Sequence, residues 1–322
     1  MTAVRHFLRD DDLTPVEQAG VLEHALKLKA HPFGEHPLAG PQTVAVLFDK
    51  PTLRTQASFA SGIAELGGFP MIIDGALAQI GVRESIADTA RVLGRQAALV
   101  VWRTHDQSRL QEMADQAGVP VVNALTDQFH PCQALADLLT VREHRGTLAG
   151  QTLAFLGDAA CNMSHSLLLA GATAGMHVRV SGPAPYQPDA TVLEHAQRIA
   201  ADTGGSAAFV ADPVQAVTDA DVVSTDTWIS MGREAEVEAR AEAFSAWRLD
   251  DTLLGHATAD AIVLHCLPAY RGREITAEVL EGPRSVVWDE AENRRHVQKA
   301  VIAWLLAPSP SVEPVETIGG VA

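Results

Sequence analysis

Three short segments carry side chains suited to holding a small anion and polarising a carbonyl group. Lys50-Pro51-Thr52-Leu53-Arg54-Thr55 stands directly before a helical stretch that carries Phe59. A helix N-terminus offers free backbone N–H groups and the positive end of the dipole. Two hydroxyls and a guanidinium join them here, a combination that favours phosphate. The plain alternative is a helix capped by Thr52. Arg103, in Trp102-Arg103-Thr104, supplies a second guanidinium, and two together suit a dianion. In Phe129-His130-Pro131-Cys132-Gln133 the proline marks a helix start and puts His130 and Gln133 one turn apart, so both can address one carbonyl oxygen. A lone histidine is more often a satisfied structural residue, but a neighbouring anion cradle shifts the balance towards function.

The second half of the chain offers different chemistry. Leu156-Gly157-Asp158-Ala159-Ala160-Cys161-Asn162 links a strand to a helix and invites a dinucleotide reading. Only Gly157 is in register with the glycine fingerprint, so a nicotinamide-dependent dehydrogenase is disfavoured and no cofactor is expected. Asp226-Thr227-Trp228-Ile229-Ser230-Met231-Gly232 presents a carboxylate and a hydroxyl fit for an ammonium group. His265-Cys266-Leu267-Pro268 follows the last clear strand, where the ordinary fate of a free cysteine is to be a small buried apolar residue. Cys132, Cys161 and Cys266 are odd in number and widely spaced, which fits neither a disulfide framework nor a metal knuckle.

The elements that must position these residues follow a repeating pattern of an aliphatic run, a turn and a helical stretch, the mark of parallel βα units. The expected strands are 43–48, 71–73, 99–102 and 120–122, then 152–156, 177–180, 207–210, 221–223 and 262–265. Phe59, Ile63 and Leu66, closed by Gly67 and Gly68, predict a helix after the first strand, and Ile86, Ala90 and Leu93 repeat that spacing. Another helix is expected over 132–144. The reading is an α/β chain of two doubly wound parallel-sheet domains, 1–145 and 146–288, with a helix over 289–306 that packs back on the first domain. Its apolar side carries Val297, Val301, Trp304 and Leu305. Residues 307–322, rich in Pro, Ser and Gly, are expected to form a mobile tail. Ligands of such sheets bind beyond the carboxyl ends of the strands, which is where these segments lie.

A length of 322 residues suits two domains, each with its own core. Forty acidic against twenty-four basic residues give a net charge of −16, which opposes binding to nucleic acid or anionic membranes. An anionic substrate must then meet a local basic pocket. The first thirteen residues mix charges with no apolar run, so neither an export signal nor a membrane span is expected, and a cytoplasmic location fits.

Taken in order, Phe129-His130-Pro131-Cys132-Gln133, Asp226-Thr227-Trp228 with Ser230-Met231-Gly232, His265-Cys266-Leu267-Pro268 and Trp288-Asp289-Glu290-Ala291-Glu292-Asn293-Arg294 resemble the aspartate and ornithine carbamoyltransferase family, in particular its ornithine branch. The resemblance spans about Phe7 to Leu306. It implies a carbamoyl-phosphate domain followed by an amino-acid domain, a homotrimer with shared active sites, a place in arginine biosynthesis, and no metal. By position it implies that Thr52, Arg54, Thr55, Arg103 and the backbone N–H of Leu53 hold phosphate. His130 and Gln133 would polarise the carbamoyl oxygen, with Arg294 and the Cys266-Leu267 backbone completing the pocket. Gln79 resembles a residue lent to the neighbouring subunit. Asn162, Asp226, Ser230 and Met231 resemble contacts to ornithine, with Cys266 near the reacting nitrogen. The family usually reads Ser-Thr-Arg-Thr-Arg where this chain reads Thr52-Leu53-Arg54-Thr55-Gln56. Leu at the second place also resembles the relatives that use acylated ornithine, and a non-catalytic trimeric relative is a further reading.

Overall fold

Among the described residues nine short strands gather into two parallel sheets, and most of them are apolar on both faces, the pattern of strands covered on each side by helices. The computed structural model describes residues 4–50, 52–229 and 237–307. The first sheet holds β1 (Thr43–Phe48), β2 (Phe69–Asp74), β3 (Leu99–Arg103) and β4 (Val121–Leu125) in the order β2-β1-β3-β4. The second holds β5 (Thr152–Leu156), β6 (His177–Ser181), β7 (Ser206–Phe209), β8 (Val222–Thr225) and β9 (Ile262–His265) in the order β7-β6-β5-β8-β9. On β1, Val44, Val46 and Phe48 enter one core cluster while Ala45 and Leu47 enter the cluster on the other face.

The helices of the first half are α1 (Pro15–Ala30), α2 (Arg54–Glu65), α3 (Gly75–Ala78), α4 (Ile86–Leu93), α5 (Gln107–Ala117) and α6 (Pro131–Arg145). Those of the second are α7 (Asn162–Thr173), α8 (Ala190–Thr203), α9 (Pro213–Val217), α10 (Val237–Ala243), α11 (Asp251–Leu254), α12 (Ala277–Leu280) and α13 (Val287–Leu306). None of the described helices is long and apolar enough to cross a membrane.

Strand order reverses between β1 and β3 in the first sheet and between β5 and β8 in the second. At such switch points the connections leave in opposite directions and open a crevice beyond the strand ends. Arg54 follows β1 and Arg103 ends β3, while Asn162 and Asp226 follow β5 and β8, so each sheet delivers its polar residues to its own crevice.

The strands expected at 43–48, 152–156 and 262–265 have those bounds. The second strand is longer than the expected 71–73, because backbone pairing to β1 continues through Phe69 and Asp74 where the side chains are no longer uniformly apolar. The closing helix starts at Val287 rather than near residue 289. Val287 is fully buried, and Asp289 and Glu290 occupy the first turn, where the helix dipole favours negative groups.

Helix α13 packs on α1, α2 and α6 of the first half and also touches β9. Its buried Lys299 shows how closely these helices approach: Nζ donates to Leu28 O at 3.2 Å, Pro32 O at 3.1 Å and Glu65 Oε2 at 2.6 Å. A Cβ on Gly62 of α2 would stand 3.1 Å from the Lys299 Cγ. The largest core cluster joins residues of both halves, from Phe7 and Val44 to Leu153 and Val301.

Candidate active site

Two arginines from distant parts of the chain meet on one hydroxyl, and a third lies close to both. Thr55, fully buried in the first turn of α2, accepts from Arg103 Nη1 at 3.2 Å and from Arg294 Nη2 at 2.7 Å. Arg54, one residue earlier, donates from Nη2 to Leu267 O at 2.7 Å. Among the described residues none of the three has a carboxylate within ion-pair distance, and the Nε of each is buried without a partner. Burial, with Arg294 and Arg54 close by, pushes the Arg103 guanidinium down to about 10, and burial lowers Arg294 as well. Three crowded cations without counter-charge make a site whose energy falls when an anion enters.

The anion cradle at the N-terminus of α2 has a partly buried Thr52 and a Leu53 whose side chain is 79 % exposed. Leu53 occupies the N-cap position and makes no side-chain cap, so it leaves the first-turn N–H groups of the helix free of that competitor. A cavity of about 250 Å³ adjoins this loop at the outer edge of the sheet, lined by Lys50, Thr52, Gln56 and Asp74 among others.

His130 caps α6 ahead of Pro131 and is almost fully buried, with Nδ1 unpartnered. Burial, then the charges of Arg294, Arg103 and Arg54, holds its pKa well below the usual histidine value, so the imidazole is neutral. Its backbone N–H donates to Ser166 Oγ at 2.8 Å, and that hydroxyl donates to buried Asp10 Oδ2 at 2.6 Å. Asp10 and Ser166 were not foreseen, and no local pattern could reveal a link across 156 positions.

Gln133 presents a different face from the one expected. Its Nε2 donates to Asp137 Oδ1 at 2.8 Å and to Glu290 Oε1 at 3.0 Å, while Oε1 is buried and unpartnered. The free end of the amide is therefore an acceptor. It cannot donate to a carbamoyl oxygen as the sequence reading assumed, because both N–H bonds are already committed.

Beyond β9, Leu267 adopts φ 56°, which turns its carbonyl to Arg54 and its N–H to His265 Nδ1 at 2.9 Å. Cys266 Sγ lies 3.2 Å from Asp226 Oδ1. Burial and the Asp226 charge push the Cys266 thiol well up, so it stays protonated and is no thiolate nucleophile at neutral pH. Burial also raises Asp226. Asp226, His265 and Cys266 bring three ligand-type atoms within 4.8 Å of one another. The imidazole, however, already accepts from Leu267 and meets Glu274 Oε1 through Nε2 at 3.2 Å.

Asn162 begins α7 and spends its Nδ2 on Thr126 O at 2.7 Å. Gln79 is not brought to this cleft: it ends α3 with φ 52°, and its side chain is exposed. The adjoining Ile80 carbonyl accepts from Arg109 Nη2 at 2.8 Å, which ties that loop to the sheet. Ser230 and Met231 lie outside the described residues.

Fold and site define a two-domain α/β protein that gathers three cations and a neutral histidine between its sheets. The first half, residues 5–143, matches the model of the carbamoyl-P binding domain of aspartate/ornithine carbamoyltransferase, and residues 149–305 match that of its Asp/Orn binding domain. A protein of Clavibacter sepedonicus named ornithine carbamoyltransferase is 63% identical over 305 residues, 95% of this chain and 99% of that one. Among solved structures, ornithine carbamoyltransferase from Pyrococcus furiosus aligns with TM-score 0.90 at 44% identity, covering 94% of this chain and 96% of that one. The enzyme from Gloeobacter violaceus gives TM-score 0.86 at 42% identity, with 94% and 99% covered. The chain belongs to the aspartate/ornithine carbamoyltransferase family.

Proposed function

We propose that this chain transfers the carbamoyl group of carbamoyl phosphate to the side-chain amine of L-ornithine, giving L-citrulline and phosphate. The observation that carries the reading is the meeting of Arg103 and Arg294 on Thr55, with Arg54 close to both, and no counter-charge among the described residues. A phosphate dianion supplies that charge and also finds the N–H groups of the α2 terminus.

The roles follow from what each group has left to offer. Thr55 uses both acceptor positions on two guanidiniums, so its O–H proton is directed to the substrate. Neutral His130, Thr55 and Arg103 donate to the carbamoyl oxygen as charge develops there. Each preorganised donor of this kind is typically worth about 10²–10³ in rate. The Gln133 oxygen and the Leu267 backbone carbonyl accept from the carbamoyl NH₂, which fixes the plane of the group. Asp226 binds the α-ammonium of ornithine, Asn162 with Ser230 and Met231 orients the amino-acid end, and Cys266 packs as a thiol beside the attacking nitrogen. The neutral δ-amine forms the new C–N bond, the C–O bond to phosphorus breaks, and phosphate leaves with the proton lost by the amine.

The working assembly is a trimer in which Gln79 reaches the neighbour's phosphate loop. Two observations support this: edge strand β2 leaves Phe69 and Ile72 exposed, and Leu77 and Val82 stand exposed beside Gln79. The enzyme serves arginine biosynthesis in the cytoplasm. A ureido colour assay with ornithine, acetylornithine, putrescine and aspartate tests the acceptor. Product from ornithine is expected, and product from acetylornithine or aspartate alone overturns the assignment.

A further inference from the structure

Gln133 owes its orientation to two acids that the proposed chemistry does not use. Its amide nitrogen sits between Asp137 Oδ1 and Glu290 Oε1, at 2.8 and 3.0 Å, and Glu290 Oε2 accepts the backbone N–H of His265 at 2.8 Å. Asp137 lies one turn along α6 from Gln133, Glu290 arrives on the first turn of α13, and His265 closes β9. All three side chains of the cluster are buried to within 1 % of full exclusion, and among the described residues neither acid has a cation at ion-pair distance. The charged or titratable groups nearby are Arg294, Asp226, Cys266 and His265.

We propose that Asp137 and Glu290 are positioning residues that share one proton and together hold the Gln133 amide with its nitrogen inward and its oxygen towards the carbamoyl group. Two adjacent buried carboxylates cannot both stay ionised without a cation against them, so one keeps its proton and donates it to the other. With Oε2 of Glu290 taken by His265, the proton bridges Asp137 and Glu290. Every remaining lone pair facing Gln133 is then an acceptor, which selects one of the two amide orientations. In support, burial pushes Asp137 up to about 7, and burial followed by the charge of Asp137 holds Glu290 well above the usual carboxylate range. The inference rests on the proposed carbamoyl transfer for its kinetic consequence, though not for the shared proton.

Glu290→Gln keeps the size of the side chain and adds an N–H where Gln133 needs an acceptor, because the fixed His265 N–H claims the amide oxygen. In this variant Gln133 turns over and offers NH₂ to the carbamoyl NH₂, a donor against a donor. Asp137→Asn instead mimics the protonated acid, with its oxygen left to accept from Gln133 and its NH₂ at the otherwise unpartnered Oδ2 position. The expected result for Glu290→Gln is a fall of roughly ten- to a hundredfold in kcat/KM for carbamoyl phosphate, with KM for ornithine changed by less than about twofold, whereas Asp137→Asn should stay within about threefold of wild type. In a Gln133→Ala background Glu290→Gln should add little, because the group it orients is gone. Full kcat/KM in folded Glu290→Gln, a loss in Asp137→Asn as large as in Glu290→Gln, or a loss that persists undiminished without Gln133, overturns the proposal. Should neither variant fold, infrared spectra decide it: in the wild type and in both Asp10→Asn and Asp226→Asn, which remove the other buried acids with raised pKa, a protonated-carboxyl band must persist at pH 8 and shift when carbamoyl phosphate is added. A spectrum at pH 8 without such a band, or with one that ignores the ligand, overturns it too. Wild-type protein that makes no citrulline but shows the shared proton refutes the proposed function and leaves this pair standing.

Discussion

Replacing Thr55 with valine removes one hydroxyl and nothing else of its shape. The structure gives that oxygen two incoming hydrogen bonds, 3.2 Å from Arg103 and 2.7 Å from Arg294, so its own proton is free for the substrate. A hydrogen bond to a charged group contributes about 1.5–3 kcal/mol, and loss of this donor should lower kcat/KM for carbamoyl phosphate by roughly ten- to a hundred-and-fifty-fold. Thr55→Ser keeps the hydroxyl and should stay within about threefold of wild type. The valine also strands two buried guanidinium N–H groups, so the thermal midpoint should drop by the equivalent of about 1–3 kcal/mol, and added phosphate should recover part of it. The assay is steady-state citrulline release at saturating ornithine with carbamoyl phosphate varied. If Thr55→Val retains wild-type kcat/KM while Arg54→Ala abolishes activity, the hydroxyl does not face the substrate and the lone-pair argument fails.

Asp226→Asn should raise KM for ornithine by roughly tenfold or more while leaving that for carbamoyl phosphate unchanged, whereas His130→Ala should lower kcat; one shared kinetic pattern would refute the division of the cleft into two half-sites. Leu53→Thr should raise kcat/KM for carbamoyl phosphate by roughly tenfold to a hundredfold and also raise the thermal midpoint, since threonine caps α2 where exposed leucine does not. An unchanged KM with a higher midpoint would assign the residue to the cap alone. His296, almost fully buried with neither ring nitrogen within hydrogen-bond distance of a partner and Nε2 3.6 Å from Glu292 Oε1, is held down to about 4 from 6.5, chiefly by burial. As pH falls through 6.5 the unfolded chain binds this proton first, so native stability is lost between about pH 6.5 and 4. At pH 5 the difference reaches up to about 2 kcal/mol. His296→Asn should therefore lose less stability than wild type between pH 7 and 5 in urea titrations, and equal losses would contradict the assignment. Asp137, raised to about 7, acts in the opposite direction over the same range and is common to both proteins, so it cancels in the comparison.

The sheets were legible because parallel strands buried on both faces are written as unbroken aliphatic runs, as in Thr43–Phe48 and Ile262–His265. Arg54 and Arg103 were legible for a related reason: they sit immediately after such runs, where strand ends open into a crevice. The orientation of Gln133 was not, since it is set by Glu290, 157 positions away, as much as by Asp137 one turn on. Asp137 was within reach of a helical-spacing argument, and Glu290 stood inside a motif already singled out for Arg294. The Ser166–Asp10 support of His130 had no such signal, being made by a hydroxyl of α7 and a 3₁₀ turn near the N-terminus. A residue whose task lies in another subunit, as proposed for Gln79, shows in one chain only as an exposed polar side chain in an unusual backbone conformation.

The central claim is that a carbon–nitrogen bond forms between the carbamoyl group and the side-chain nitrogen of ornithine. It is read most directly by nuclear magnetic resonance, with ¹³C-labelled carbamoyl phosphate and ornithine labelled with ¹⁵N at the side-chain amine. The account predicts that the carbonyl signal moves to the ureido position and splits by coupling to ¹⁵N as inorganic phosphate appears in equal amount. Carbon released as bicarbonate, or a product signal without that splitting, would contradict it.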